Sequence, residues 1–302
     1  MTNRAATLCT RPLGLALHGW LGLGLIGIFW PLNWLLPGPR TQWGFFPLWV
    51  GYSLTVDAFC LRRQGTSLLA RGWKRYLGLF LVSIPAWWLF EAINDRTQNW
   101  HYVGRQLFSN AGYAVLASLS FSTVMPAVFG TAELMAGVGL VRRLGRGPVV
   151  RLDRRTTSIF FAAGWLMLAA LLMWPLVFFP FVWLSLFFIL EPINVWLGNR
   201  SLGSCVRLGD WRPVVALWLG GLTCGFFWEI WNYLSYPKWV YTVPWPNVLH
   251  IFEMPALGYL GYLPFALELY AFYQLVMGAL NPRAIDYLGL GVPSTDGARP
   301  HE

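Results

Sequence analysis

The chain has 302 residues, of which 56% are hydrophobic and 12% charged, and its formal net charge is +9. Soluble globular domains carry about 25% charged residues, so this composition excludes an ordinary soluble domain and indicates a multi-pass membrane protein. In such proteins the basic residues set the topology, so the positive charge does not indicate nucleic acid binding.

Apolar runs in chain order predict eight membrane spans, at about 13–36, 43–61, 76–94, 108–140, 157–176, 177–198, 213–235 and 249–278. The predicted fold class is all-α, a polytopic transmembrane helical bundle. The fourth and eighth runs are longer than one helix needs to cross a core of about 30 Å. They also contain Pro126, Pro255 and Pro264. We therefore expect these two spans to be broken, kinked or re-entrant.

The distribution of basic residues predicts how the chain is oriented. With the N-terminus inside, eighteen of the 22 Lys and Arg residues fall on the cytoplasmic side. The four on the outside are Arg40, Arg96, Arg105 and Lys238. This bias follows the positive-inside rule and predicts a cell-membrane protein whose N- and C-termini are both cytoplasmic.

The two halves of the chain contain similar residues in the same order. The corresponding sets are Glu91, Asn94, Trp100 and Tyr102 with Glu229, Asn232, Trp239 and Tyr241, and Met125-Pro126-Ala127 with Met254-Pro255-Ala256. We predict a first membrane repeat over residues 1–150, a second over 151–280 and a cytoplasmic tail over 281–302. Four spans per repeat is an even number, so the tandem four-helix repeats should have parallel orientation. A site is then expected at their interface.

Acidic residues are concentrated in the predicted spans. Seven of the 13 lie there, namely Asp57, Glu91, Glu133, Glu191, Glu229, Glu253 and Glu268, whereas no Lys or Arg does. A charged residue at the bilayer centre costs about 2.5–3.5 kcal/mol on insertion scales, so each of these acids requires a physical reason. We expect them to be neutral, hydrogen-bonded to neutral groups or paired with a bound molecule, since their positions exclude ion pairs with Lys or Arg.

The stretch from residue 226 to 273 contains the candidate site. Glu229, Glu253 and Glu268 are the candidate catalytic residues. The candidate substrate-binding residues are Asn232, Trp228, Trp231, Trp239, Tyr241, His250, Glu91 and Asn94. Glu229 and Asn232 are three residues apart and share one helix face, as do Glu91 and Asn94. For the Glu91 pair, a purely structural role in holding helices together remains an alternative.

The residue types in this stretch indicate proton chemistry in an apolar pocket. A protonated carboxylic acid can donate a proton to an olefin, and aromatic faces can stabilise the resulting cation. This chemistry requires no cofactor. His250 and Glu253 are spaced like two metal ligands, but the only other histidine expected at that depth is His101, so no metal site is predicted.

The same stretch resembles the integral-membrane lycopene cyclases of heterodimeric and fungal type, a group that includes carotenoid hydratases. The resemblance is carried by Trp228-Glu229, Trp239-Val240-Tyr241, Leu263-Pro264 leading to Glu268, and Phe272-Tyr273. The family has Trp-Asp at the first position and Leu-Pro-x-Glu-Glu at the third, so this chain differs in having a Glu beside Trp228 and no tandem Glu. The resemblance implies that Glu229 and Glu268 act as acid and base.

Together these observations predict an integral membrane enzyme that acts on a long apolar isoprenoid, a carotenoid or a polyprenyl lipid, by acid-initiated cyclisation, hydration or isomerisation. Its expected partners are the lipid bilayer and this membrane substrate. Two alternatives remain open at this point, a proton-coupled or lipid transporter and a non-catalytic membrane subunit. Oligomeric state and substrate identity are not predicted.

Overall fold

The computed structural model describes residues 14–36, 38, 42–245, 247–280 and 286–291. The helices are α1 (Leu17–Leu35), α2 (Phe45–Gln64), α3 (Leu68–Arg71), α4 (Trp73–Thr97), α5 (Asn110–Ser122), α6 (Val124–Ala136), α7 (Gly139–Arg142), α8 (Arg154–Met173), α9 (Pro175–Phe178), α10 (Ser185–Trp196), α11 (Gly203–Val206), α12 (Arg212–Tyr233) and α13 (Tyr262–Leu280). The strands are β1 (Trp100–Val103), β2 (Lys238–Tyr241), β3 (His250–Ile251) and β4 (Met254–Pro255). The predicted helical fold is therefore confirmed, with two small antiparallel sheets in addition.

Several helical segments are long and apolar enough to cross a membrane. Within the described residues there are five, Trp73–Thr97, Asn110–Ala136, Arg154–Met173, Arg212–Tyr233 and Ala256–Leu280. A sixth is obtained if Pro175–Trp183 and Ser185–Trp196, which are bent by 41°, form one broken span. These segments fit a multi-pass membrane protein.

The first two predicted spans form α1 and α2, helices of 19 and 20 residues that pack closely against each other. Neither helix is among the five segments above; α1 contains Asn33 and a proline, and α2 contains Asp57 and has two arginines in its last turn. The contact depends on small residues. A Cβ atom added to Gly22 would lie 2.6 Å from the carbonyl oxygen of Gly51, so a larger side chain would force the two backbones apart.

The fourth predicted span consists of two helices, α5 and α6, which meet at Thr123. Pro126 lies in the first turn of α6, where a proline is tolerated because the first turn leaves its N–H groups without helical partners. The hydroxyl of Ser83 satisfies the backbone at this break. It accepts a hydrogen bond from the Met125 amide at 3.1 Å and donates to the Phe121 carbonyl at 2.5 Å.

The eighth predicted run, 249–278, forms more than one element. It begins with the β3–β4 hairpin, continues through a 3-10 turn at Ala256–Gly261 and enters α13 at Tyr262. Met254 and Pro255 therefore lie in a strand, whereas Met125 and Pro126 lie in α6. The predicted correspondence between these two Met-Pro-Ala motifs is not reflected in their local structure.

The expectation that intramembrane acids have no Lys or Arg partner is wrong for two of them. Arg71, at the end of α3, donates to both carboxylate oxygens of Glu133 in α6 at 2.6 and 2.7 Å. The short helix α3 returns the chain from α2 toward the interior and so brings a basic residue to a buried acid. Glu253 lies in the turn between β3 and β4, where it forms an ion pair with Lys238.

Two further acids bind the loops that follow their own helices. Asp57 accepts hydrogen bonds from the Ser67 hydroxyl at 2.7 Å and the Leu69 amide at 2.9 Å. Glu191 accepts one from the Gly203 amide at 2.7 Å. Both carboxyls therefore satisfy backbone or capping groups at the start of a short helix, α3 or α11, and these contacts give them a structural role.

Part of the predicted cytoplasmic tail packs against the helical domain. The Tyr287 hydroxyl donates to the Leu68 carbonyl at 2.8 Å, and the Arg71 Nε group donates to the Tyr287 carbonyl at 2.9 Å. Leu288 is buried beside them. Residues 281–285 and 292–302 of the predicted tail lie outside the described residues.

Candidate functional site

The site is built around the two-stranded ribbon formed by β1 and β2. Trp100 lies opposite Tyr241, and Tyr102 lies opposite Trp239. Side chains alternate between the faces of a strand, and residues directly opposite in an antiparallel pair share a face. These four aromatic side chains therefore lie on one face of the ribbon, and all four line the same cavity.

Two asparagines attach the ribbon to the ends of α4 and α12. The Asn94 amide donates to the Trp100 carbonyl at 2.8 Å and accepts from the backbone amides of Asn99 and Trp100. Asn232 repeats this arrangement, since it donates to the Trp239 carbonyl at 2.8 Å and accepts from the Trp239 amide at 2.9 Å. Both asparagines are buried. They position the strands that carry the aromatic side chains of the cavity.

Glu229 is fully buried beneath the second strand of the ribbon. Its Oε1 atom accepts hydrogen bonds from the hydroxyls of Tyr241 and Tyr262, both at 2.7 Å. The Tyr241 oxygen also accepts the indole N–H of Trp239 at 2.9 Å. Burial, and then the nearby Glu229, raises the pKa of Tyr241 well above its ordinary value, so this hydroxyl stays protonated. The buried Oε2 atom of Glu229 has no hydrogen-bond partner within the described part of the chain.

Glu91 has an equivalent position beneath the first strand. Its Oε1 atom accepts three hydrogen bonds, from the indole N–H groups of Trp87 and Trp100 at 2.8 and 3.1 Å and from the Tyr102 hydroxyl at 2.6 Å. Burial, and then the adjacent Glu91, raises the pKa of Tyr102 well above its ordinary value. Each glutamate therefore contacts a tyrosine that faces the cavity.

The cavity has a volume of about 180 Å³ and is lined mainly by aromatic and apolar side chains. Its lining residues include Trp87, Trp100, Tyr102, Tyr113, Leu116, Phe121, Trp183, Trp228, Trp239, Tyr241, Tyr262 and Phe265. One wall is a series of aromatic contacts from Trp87 to Phe265, from Phe265 to Trp228 and from Trp228 to Tyr262, with ring centroids 5.8, 6.1 and 5.9 Å apart. This wall links the residues that surround Glu91 to those that surround Glu229.

Of the predicted substrate-binding residues, Trp228, Trp239 and Tyr241 line the cavity. Trp231 is instead buried against Trp49, with ring centroids 5.0 Å apart, and belongs to the hydrophobic core. His250 is exposed on β3.

The three predicted catalytic acids lie in different surroundings. Glu229 contacts two tyrosines of the cavity wall, whereas Glu253 is bound to Lys238 in a partly exposed ion pair. Glu268 is buried in α13 and accepts a hydrogen bond from the Leu186 amide at 3.1 Å, at the start of α10. Among the described hydrogen bonds and ion pairs, none joins Glu229 to either of the other two acids.

Sequence reasoning missed two residues of the cavity wall that bond to Glu91 or Glu229, namely Trp87 and Tyr262. Trp87 is four residues before Glu91 in α4, so the spacing of an α-helix places it on the same face, and this local pattern was available in the sequence. Tyr262 is 33 residues after Glu229 and reaches it only because α13 packs against α12. No spacing rule predicts that second contact.

In the described ranges of the chain, no group of three His, Cys, Asp or Glu side chains is arranged to hold a metal ion. Comparisons of the chain with protein-family models, with curated proteins and with solved structures find no match.

Proposed function

We propose that this chain is an integral membrane enzyme that acts on a long apolar isoprenoid, such as a carotenoid or a polyprenyl lipid, by acid-initiated cyclisation, hydration or isomerisation. The observation that carries the proposal is the arrangement of Glu229. Its carboxyl group is fully buried and hydrogen-bonded to Tyr241 and Tyr262, and both tyrosines line an aromatic cavity. Such an arrangement connects an acid to an apolar ligand through a hydroxyl group.

The chemistry begins with proton transfer toward a double bond. For this step a tyrosine hydroxyl that donates to Glu229 Oε1 at rest turns toward the substrate. The protonated Glu229 carboxyl then donates its proton to that tyrosine oxygen while the phenolic proton passes to an olefinic carbon, whose π electrons form the new C–H bond. The cation left on the neighbouring carbon lies among indole and phenol rings, whose faces attract positive charge. Loss of a proton completes a cyclisation or isomerisation. Capture of water followed by loss of a proton completes a hydration.

The dimensions of the cavity favour reaction at one end of a long molecule. A cavity of about 150 Å³ is known to bind benzene, so a cavity of 180 Å³ accommodates a ring-sized group and not an entire carotenoid. The remaining chain would lie in the lipid. Helix α5 supports this arrangement, since Leu116 and Phe121 line the cavity while Val115 and Leu119 are exposed on the same helix.

The proposal includes the finer topology, with eight spans, two tandem four-helix repeats in parallel orientation and both termini in the cytoplasm. The equivalent contacts of Asn94 and Asn232, and of Glu91 and Glu229, support a duplication. The reciprocal pairing in the β1–β2 ribbon is typical of two units related by a twofold axis. An axis along the membrane normal would place the cavity between the repeats.

A transporter would need a polar route across the bilayer, and the positions of the acids provide little support for one. Glu133 is bound by Arg71, and Asp57, Glu191 and Glu268 accept hydrogen bonds from backbone amides. No hydrogen bond between described residues joins two of the seven carboxyls that were predicted to lie in spans. The aromatic cavity therefore favours an enzyme over a proton relay.

Mass spectrometry of lipid extracts tests this function. A heterologous host that makes isoprenoids would express the wild type, Glu229→Gln and, as a control at a partly exposed acid, Asp210→Asn. We expect a new isoprenoid product with the wild type and the control and its absence with Glu229→Gln. Gln keeps an acceptor oxygen for both tyrosines but has no acidic proton. An unchanged lipid profile with folded wild-type protein would contradict the proposal for the isoprenoids of that host. A non-catalytic subunit would tolerate Glu229→Gln.

A further inference from the structure

We infer that Tyr102 and Glu91 form the proton-accepting group of the cavity, beside the proton-donating group of Glu229, so that a substrate receives a proton from one group and loses one to its neighbour. The inference rests on the proposed function and adds the residues that end the reaction. It assigns Tyr102 as a group that touches the substrate and Glu91 as a group that acts through it.

The first observation is the position of the two tyrosines. Tyr102 and Tyr241 lie on the same face of the ribbon as diagonal neighbours, because Tyr102 is opposite Trp239 and Tyr241 is opposite Trp100. Diagonal neighbours in such a pair are about 7–8 Å apart. Both residues line the cavity. A ring-sized group held there is within reach of both hydroxyls.

The second observation is the difference between the two carboxyl groups. Glu91 receives three donors on one oxygen, two indole N–H groups and one hydroxyl, whereas Glu229 receives two hydroxyls. Hydrogen bonds to an ionised acceptor are stronger than those between neutral groups. The three donors therefore stabilise the charged form of Glu91 more than the two donors stabilise the charged form of Glu229. The charged form is the one that can accept a proton. Glu91 is also only half-buried, whereas Glu229 is fully buried.

The third observation is that the other acids are engaged elsewhere. Glu253 is bound to Lys238, and Glu268 accepts a backbone amide at the start of α10. Neither is among the described residues that line the cavity or that bond to a tyrosine lining it. Glu91, by contrast, accepts a hydrogen bond from Tyr102, and Tyr102 lines the cavity.

The proton-accepting step balances without an oxidant or reductant. A C–H bond next to the cationic carbon breaks, and its electron pair forms the new C=C bond. The released proton passes to the Tyr102 oxygen while the phenolic proton of Tyr102 passes to Glu91 Oε1. Glu91 has then gained the proton that Glu229 lost, and exchange with water after product release restores both groups.

The test compares products formed by the wild type, Glu91→Gln, Tyr102→Phe and Glu229→Gln, with Asp210→Asn as the control. The Glu91→Gln variant keeps an oxygen for the three donors but cannot take up a proton, and Tyr102→Phe leaves both indole bonds to Glu91 in place. Glu229→Gln should make no product. Glu91→Gln and Tyr102→Phe should still form the cation, so we expect products with altered double-bond positions or trapped water, and about a 100-fold slower formation of the wild-type product.

The outcomes separate this inference from the proposed function. A merely structural role for Glu91 would lower the yield but would not change the ratio of double-bond isomers. If both first-repeat variants give the wild-type rate and isomer ratio while Glu229→Gln gives no product, the inference is overturned and the proposed function stands. Loss of all product in folded Glu91→Gln and Tyr102→Phe, as in Glu229→Gln, would overturn the division of roles. The absence of any wild-type product overturns both proposals.

Discussion

Trp100 and Tyr241 lie directly opposite each other in the β1–β2 ribbon, and each donates a hydrogen bond to a different glutamate. The Trp100 indole reaches Glu91 at 3.1 Å, and the Tyr241 hydroxyl reaches Glu229 at 2.7 Å. The ribbon thus joins two acid groups that belong to separate helices, α4 and α12. A change that loosens one strand is expected to affect the contacts of both glutamates.

Replacing Asn232 tests how the ribbon is held. Asn232→Ala removes the donor and the acceptor that bind the Trp239 backbone, and we expect a loss of about 1–3 kcal/mol of stability because buried backbone groups lose their partners. Hydrogen exchange measured by mass spectrometry should speed up in β2 and β1. Thr242→Val, which removes an exposed hydrogen bond to the Gln98 carbonyl, is the matched control. Equal exchange in Asn232→Ala and the control would contradict this role.

The buried ion pair between Arg71 and Glu133 gives a second prediction. Glu133→Gln leaves the Arg71 guanidinium largely buried and without a charged partner, and breaking such a pair costs about 3–5 kcal/mol. We expect a clear fall in the unfolding temperature in detergent. Asp210→Asn breaks a more exposed pair with Arg212 and should cost about 0.2–1 kcal/mol. Similar unfolding temperatures for both variants would show that the interior pair contributes little.

The two hydroxyl donors to Glu229 can be separated by substitution. Tyr241→Phe and Tyr262→Phe each leave one hydroxyl on the carboxyl group, whereas the double variant leaves none. We expect the double variant to lower the rate of product formation by about 100-fold or more, since no hydroxyl then connects the acid to the cavity. Either single variant should lose less. The rate is measured from isoprenoid product per amount of folded protein, and full activity in the double variant would exclude transfer through these tyrosines.

Asp153, outside the apolar segments, predicts a pH-dependent contribution to stability. Hydrogen bonding to Thr156 at the start of α8 lowers the pKa of this carboxyl from its ordinary value of 3.8. The folded state therefore favours the charged form, so the stabilisation is present above about pH 4 and is lost as the pH falls through the lowered value. The difference in unfolding temperature between the wild type and Asp153→Ala should be constant near neutral pH and shrink below pH 4. The nearby exposed Ser158→Ala should show no such trend.

The local pattern of the sequence was sufficient for the helical character and for placing Glu229 and Asn232 on one helix face. Composition predicted apolar helices, and a separation of three residues places Glu229 and Asn232 on one helix face regardless of the surrounding fold. The repeated order of Glu, Asn, Trp and Tyr also pointed to two similar groups. Both asparagines bind the tryptophan of a strand, and both tyrosines bind the glutamate.

The tertiary structure decided which acids contact the cavity wall and which hold the fold together. Tyr262 reaches Glu229 from another helix, Arg71 reaches Glu133 through the short α3, and Glu268 binds a backbone amide 82 residues earlier in the chain. Side-chain periodicity is set by the geometry of a single helix, so sequence spacing predicts contacts within about one turn. Contacts between helices depend instead on how the helices pack. Packing therefore determines whether a glutamate lies beside the aromatic cavity or binds the backbone at the start of another helix.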